Sequence, residues 1–178
     1  MLINRWLPSF LSGILGHIII VERGFHVNPD QNLEKLSKTP NSPFNISLSP
    51  IRFMDRNFYA SGQVAKRGDE MLATGLVGKE VDMKLAQECA WQCAINVLDS
   101  VRKELGTLDR IEYVVRLGVY VASADGFSDQ HLVAHGASQV ILNVFGEERG
   151  KHTRTAIGVK SLPLNSPVEV DAIFRIKE

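Results

Sequence analysis

"TRTAIGVKSLPLNSPVEVDAIF", residues 153–174, decides the reading of the fold. Two runs rich in β-branched residues flank a Pro-rich turn, a pattern that predicts two strands joined as a hairpin closing the chain. Period two puts Arg154, Ala156 and Gly158 on one side of the first strand and Thr155, Ile157 and Val159 on the other. In the second strand Val168, Val170, Ala172 and Phe174 share one face, and Glu169, Asp171 and Ile173 share the opposite one. A core-forming hairpin therefore carries one arginine and two acids. The small residues beside Arg154 leave room for an approaching group, and a planar guanidinium suits bidentate recognition of a carboxylate. A nearby glutamate can orient or deprotonate a water. On residue types alone, an intramolecular ion pair closing a sheet or subunit edge is the simpler account.

Upstream of this stretch the chain alternates strands and helices. "RIEYVVRLGVYVA" alternates Ile111, Tyr113, Val115, Leu117, Val119 and Val121 against a partly apolar second face with Val114 and Tyr120, as in a strand covered on both sides. Before it, Asp82 caps a helix whose stripe runs Leu85, Cys89, Cys93 and Val97, and Gly106 ends that helix. After it, a helix opening at Ser128 or Asp129 repeats apolar pairs from Leu132/Val133 to Val144/Phe145 and stops at Gly146. "RNFYASGQVA" predicts one strand, and "DEMLATGLVG" a second after the turn at Arg67-Gly68. The order β-β-α-β-α-β-β implies an α+β sheet with both helices on one face. Its second face, also partly apolar, needs cover, and oligomerisation is the simplest source.

The 178 residues, 44% apolar and 22% charged, fit one soluble domain with a real core. Lys+Arg and Asp+Glu number 20 each, so no global field attracts nucleic acid or an anionic membrane. Cys89 and Cys93, four apart on a helix, read as small core residues of a reduced, intracellular protein. Residues 1–30 differ in texture from the rest and read as an extension outside the domain, with 31–178 as a single domain. The run from Trp6 to Val21 contains Pro8, two glycines and His17 and falls short of a spanning helix. Arg5 and the apolar run after it have the layout of a signal peptide but no small-x-small cleavage site. His131 and His135 stand at metal-binding spacing near Asp129 without a third strong ligand, so a solvated helix flank is expected and no metal site is assigned. Ser61 lacks a nucleophile elbow and a histidine partner.

From about Phe58 to Ile173 the chain resembles the Rid family of reactive-intermediate imine deaminases, also called the YjgF/UK114 family. The resemblance rests on "YASGQ" at 59–63, "VFGE" at 144–147, "RTAIGVKSLP" at 154–163 and "VEVDAI" at 168–173, with the spacing from Arg154 through Leu162-Pro163 to Glu169 preserved. "LVGKEVDMKLAQECAWQCAINVL" is most similar to a branch of longer, less characterised members. The resemblance implies a chorismate-mutase-like fold, with a mixed sheet and two helices on one face, assembled as a homotrimer. It implies a ligand cleft between subunits that takes a small imino or keto acid, needs no cofactor, and lies in a cytoplasmic protein. Arg154 corresponds to the arginine that holds the substrate carboxylate, and Glu169 to the glutamate that positions a water. Gly62, Ala156 and Ile157 fall at substrate-binding positions. Members with this arginine hydrolyse 2-imino or enamine acids to 2-keto acids and ammonia. Leu48 and Ala156 depart from the tyrosine and the cysteine or threonine usual in deaminases, so a carboxylate-binding module without chemistry is the alternative. Ser138 offers a counterpart for the family's polar residue in the second helix. Some relatives are described as ribonucleases. Lys66, Arg67, Lys79 and Lys84 form only a weak basic cluster with no evident aromatic stacking platform, so neither nucleic acid nor, for the domain, a membrane is expected as partner.

Overall fold

The computed structural model describes residues 48–178 together with Pro29, Asp30 and Leu33. The chain divides into two compact units, Met1–Ile46 and Ser47–Glu178. The readings made on residues 1–28, 31–32 and 34–47 lie outside the described residues.

The second unit runs β1 (Ile51–Met54), β2 (Asn57–Val64), β3 (Lys66–Arg67), β4 (Glu70–Met71), α1 (Met83–Leu105), β5 (Ile111–Ala122), α2 (Gln130–Val133), α3 (His135–Gly150), β6 (Thr153–Val159) and β7 (Val168–Ile176). Five strands form one mixed sheet in the order β1-β2-β7-β5-β6. β5 and β6 are parallel, and the other pairings are antiparallel.

The closing hairpin does not form. β5 lies between β6 and β7 and pairs with both. Helices α2 and α3 make a β-α-β crossover that returns β6 parallel to β5, and this occupies one edge of β5. β7 must then take the other edge, so the link between β6 and β7 spans β5 through a turn where Leu164 and Asn165 adopt φ of 57° and 56°.

The first strand pair is also displaced. Within "DEMLATGLVG" only Glu70 and Met71 are in a strand, paired with Arg67 and Lys66. Gly75 and Gly78, at φ 110° and 88°, turn the rest into a loop. The strand that pairs with β2 is β1, joined by a turn in which Asp55 takes φ 53°. The order β-β-α-β-α-β-β survives with a different first pair.

α1 begins where the Asp82 carboxylate accepts the Leu85 N–H at 2.8 Å and ends at left-handed Gly106. Its buried stripe, Ala86, Cys89, Ala90, Cys93, Ala94, Val97, Leu98 and Val101, is built of small residues and packs on the sheet. Gly136 of α3 lies so close to α1 that a Cβ there would stand 2.1 Å from the Gln87 carbonyl oxygen, so only glycine permits this crossing. β7 alternates strictly, with Val168, Val170, Ala172, Phe174 and Ile176 buried. β5 does not. Irregularities between Ile111 and Tyr113 and between Val114 and Arg116 make the buried set Ile111, Val114, Leu117, Val119 and Val121. Tyr113 consequently lies outside the core, contrary to simple alternation. Among the described residues no helix is long and apolar enough to cross a membrane.

Candidate active site

Arg154 is in register with Leu117, a fully buried residue on the helix-covered face. Glu169 is in register with Tyr120, three residues further along β5. Between them β5 pairs regularly, so Arg154 and Glu169 belong to opposite faces of the sheet. Their strands are two spacings apart, about 10 Å. One chain therefore does not bring these residues together, and each lies in its own polar cluster, a candidate half-site.

The first half-site is a charged rail on the open face. The Glu169 carboxylate lies against Gly62: a Cβ on Gly62 would stand 1.9 Å from Glu169 Oε1. β2 makes room through a register shift between Ala60 and Gln63, fixed by the Ser61 N–H donating to the Pro50 carbonyl at 2.9 Å and the Ser61 hydroxyl donating to the Ser49 carbonyl at 3.1 Å. Burial, followed by the charge of Asp171, raises the Glu169 pKa above its ordinary value. Asp171 is a structural hub. It accepts the Tyr120 hydroxyl at 2.8 Å and the Gly118 N–H at 3.1 Å, and it pairs with Arg116 at 3.5 Å.

The second half-site surrounds Arg154 on the edge strand. Nη1 donates to Ser138 Oγ of α3 at 2.9 Å, and Nη2 donates to the His131 carbonyl of α2 at 3.0 Å. Ser138 Oγ also lies 3.0 Å from His152 Nε2, whose Nδ1 is 2.6 Å from the Gly150 carbonyl. Burial lowers the Arg154 pKa. It also lowers that of His152, with a further contribution from the charge of Arg154. Within one chain the hairpin arginine and acids do not pair with each other: among the described residues no carboxylate pairs with Arg154, and Asp171 is engaged by Arg116.

Of the other candidates, Ala156 follows Arg154 on the helix side and packs on the core, whereas Ile157 is exposed on the open face. Leu48 is exposed. His131 enters through its backbone only. His152 went unnoticed in the sequence. The available signal was its position two before Arg154, which places both residues on one side of an extended chain.

A groove of about 510 Å³ lies on the helical layer, lined by Arg67, Lys84, Glu88, Trp91, His135 and Gln139 among others. Trp91 is 39% exposed there, so an aromatic surface does stand beside part of the basic cluster, contrary to the sequence reading. It was hidden because α3, remote in sequence, builds the opposite wall. Two of the four cations are neutralised locally, Lys66 by Asp69 at 3.7 Å and Lys79 by Glu80 at 2.9 Å.

Comparison with known proteins agrees with this architecture. A family profile described as Endoribonuclease L-PSP matches residues 43–176. Protein TCP17 of Trypanosoma cruzi is 42% identical over 118 residues, which is 66% of this chain and 74% of that one. The crystal structure of Atu1372 from Agrobacterium tumefaciens, a protein of unknown function, superposes with a TM-score of 0.70 at 39% identity, covering 82% of this chain and 90% of that one. A Shewanella oneidensis MR-1 structure, provisionally assigned as an endoribonuclease, superposes with a TM-score of 0.71 at 21% identity, covering 84% of this chain and 100% of that one. The chain belongs to the endoribonuclease L-PSP family, the YjgF/UK114 group that its Arg154-to-Glu169 motif resembles.

Proposed function

We propose that the protein hydrolyses reactive 2-imino acids to 2-keto acids and ammonia at clefts formed between copies of a cytoplasmic homotrimer. The observation that carries this reading is Arg154: a guanidinium held at Nη1 and Nη2 by neutral oxygens, with no carboxylate partner among the described residues. Such a group is prepared to receive an anion. Because Arg154 and Glu169 occupy opposite faces, a single cleft needs the Arg154 half from one copy and the Gly62–Glu169 half from another. An assembly of that kind also covers the open face, where Tyr59, Tyr113 and Ile157 are exposed.

Arg154 holds the carboxylate of a protonated imine. Glu169 takes a proton from water as the water oxygen bonds to the imine carbon, giving a neutral carbinolamine. The resulting carboxylic acid returns that proton to nitrogen, the C–N bond breaks as the hydroxyl oxygen forms the carbonyl, and the departing ammonia takes up the hydroxyl proton. A raised pKa makes the Glu169 carboxylate a better base for this exchange. The scheme uses no cofactor.

The test is the decay of 2-iminopropanoate, generated from alanine by an amino-acid oxidase and trapped with semicarbazide. Wild type should accelerate imine loss, while Arg154→Ala and Glu169→Gln should not. No acceleration by wild type, with pyruvate still raising its Tm, would instead favour a carboxylate-binding module, the reading supported by Leu48 and Ala156.

A further inference from the structure

Ser138 and His152 lie behind Arg154 in one chain of hydrogen bonds. The Gly150 carbonyl can only accept, so at 2.6 Å His152 Nδ1 carries the hydrogen. A neutral ring then leaves Nε2 as an acceptor, and at 3.0 Å the Ser138 hydroxyl donates to it. Ser138 Oγ in turn accepts Arg154 Nη1 at 2.9 Å. The chain of donors is thus fixed in direction from Arg154 through Ser138 to His152, ending on the Gly150 carbonyl.

We propose that Ser138 and His152 are proton-coupled positioning residues for the Arg154 clamp, so that binding of a small 2-keto or 2-imino carboxylate at Arg154 and proton uptake at His152 are linked. This rests on the reading of Arg154 as a carboxylate clamp. When His152 takes a proton from solvent, Nε2–H becomes a donor to Ser138 Oγ. Ser138 Oγ then accepts from both Nε2 and Nη1, and its own hydrogen is released toward the bound anion. The ligand gains a hydrogen bond that the ligand-free state directs inward. The charge acting on His152 comes from Arg154 on β6. From α3 it meets the Ser138 hydroxyl and the Gly150 carbonyl, and the adjacent Lys151 is engaged by Glu147 at 3.2 Å. A carboxylate neutralising Arg154 removes the repulsion that opposes protonation of His152. By linkage, carboxylate affinity then rises as pH falls through the window between the ligand-free and ligand-bound titrations of His152.

The experiment follows the His152 imidazole nitrogens by NMR between pH 4.5 and 8, with and without pyruvate, beside calorimetric pyruvate titrations at pH 5.5 and 7.5. The expected result is the neutral Nδ1–H tautomer at pH 7.5, a titration midpoint below the ordinary 6.5 that rises with pyruvate, and affinity that increases toward pH 5.5 by about tenfold per unit of that rise. In His152→Gln this component of the pH dependence should vanish, leaving that of Glu169. Ser138→Thr should retain it and Ser138→Ala should weaken pyruvate binding at pH 5.5. Pyruvate binding that leaves the His152 midpoint unmoved, or a neutral Nε2–H tautomer in the ligand-free protein, would overturn the linkage while leaving the clamp intact. Absence of pyruvate binding at every pH would overturn both.

Discussion

The two faces of β7 are built from one strand by opposite rules. Val168, Val170, Ala172, Phe174 and Ile176 are buried under the helices, and Phe174 meets Phe58 edge to face at 6.1 Å between ring centroids. One residue over, Glu169, Asp171, Ile173 and Arg175 are half-buried, with Asp171 and Arg175 tied into polar contacts. The first face owes its stability to apolar area removed from water. The second uses a backbone N–H and a tyrosine hydroxyl to hold the Asp171 carboxylate in place beside Glu169, an arrangement that makes sense where a ligand or another copy arrives.

The largest test of this contrast is a pair of truncations. Phe174→Ala should lower unfolding free energy by about 3–5 kcal/mol, measured by urea denaturation, whereas Ile173→Ala should cost well under half of that in dilute protein. If the loss from Ile173→Ala grows with protein concentration, the open face is covered by other copies. Equal losses at all concentrations would break the distinction between the faces. Next, Arg154→Ala should weaken pyruvate binding by roughly ten- to a hundredfold, the usual worth of a hydrogen-bonded charge, with a modest fall in Tm from the lost hydrogen bonds to Ser138 and the His131 carbonyl.

Gly62→Ala should cost only about 1 kcal/mol of stability, because the Glu169 carboxylate can swing aside. Imine hydrolysis should nevertheless fall to the level of Glu169→Gln, because the carboxylate has been displaced. A smaller, signed effect concerns pH. The raised pKa of Glu169 means that its charge is penalised on folding, a penalty absent below its ordinary 4.5 and complete above its folded value. Glu169→Gln should therefore be more stable than wild type at pH 8, with the gain fading toward pH 4. His152, whose pKa is lowered, acts in the opposite pH sense: stability falls as pH drops below its ordinary 6.5, and His152→Gln should lose that component. The smallest expected effect is on the helix-covered side. Burial raises Cys89 to about 11 and Cys93 well above its usual range, so native protein at pH 8 should resist iodoacetamide until unfolded.

The parts of the fold legible in the sequence are those fixed by neighbours along the chain. The α1 stripe, its Asp82 and Gly106 caps, and the alternation of β7 all follow from local geometry and appear where expected. β1 carries no such local signal, because its turn is made by Asp55 in a left-handed conformation rather than by glycine. Gly75 and Gly78, both at positive φ, turn the second half of "DEMLATGLVG" into a loop. In β5, two register shifts move Tyr113 off the core, a defect that strict alternation cannot express.

For the site, the residues that share a face, Arg154 with Ala156 and Glu169 with Asp171, are legible in the sequence, because side-chain parity along an extended chain is local. Three features emerge only on folding: β5 intervenes between their strands, Arg154 and Glu169 face opposite ways, and Ser138 and His152 meet behind Arg154. Strand partners are chosen by competition among distant backbone edges and by where a helix returns the chain. Neither of these is recorded in the alternation of any one strand.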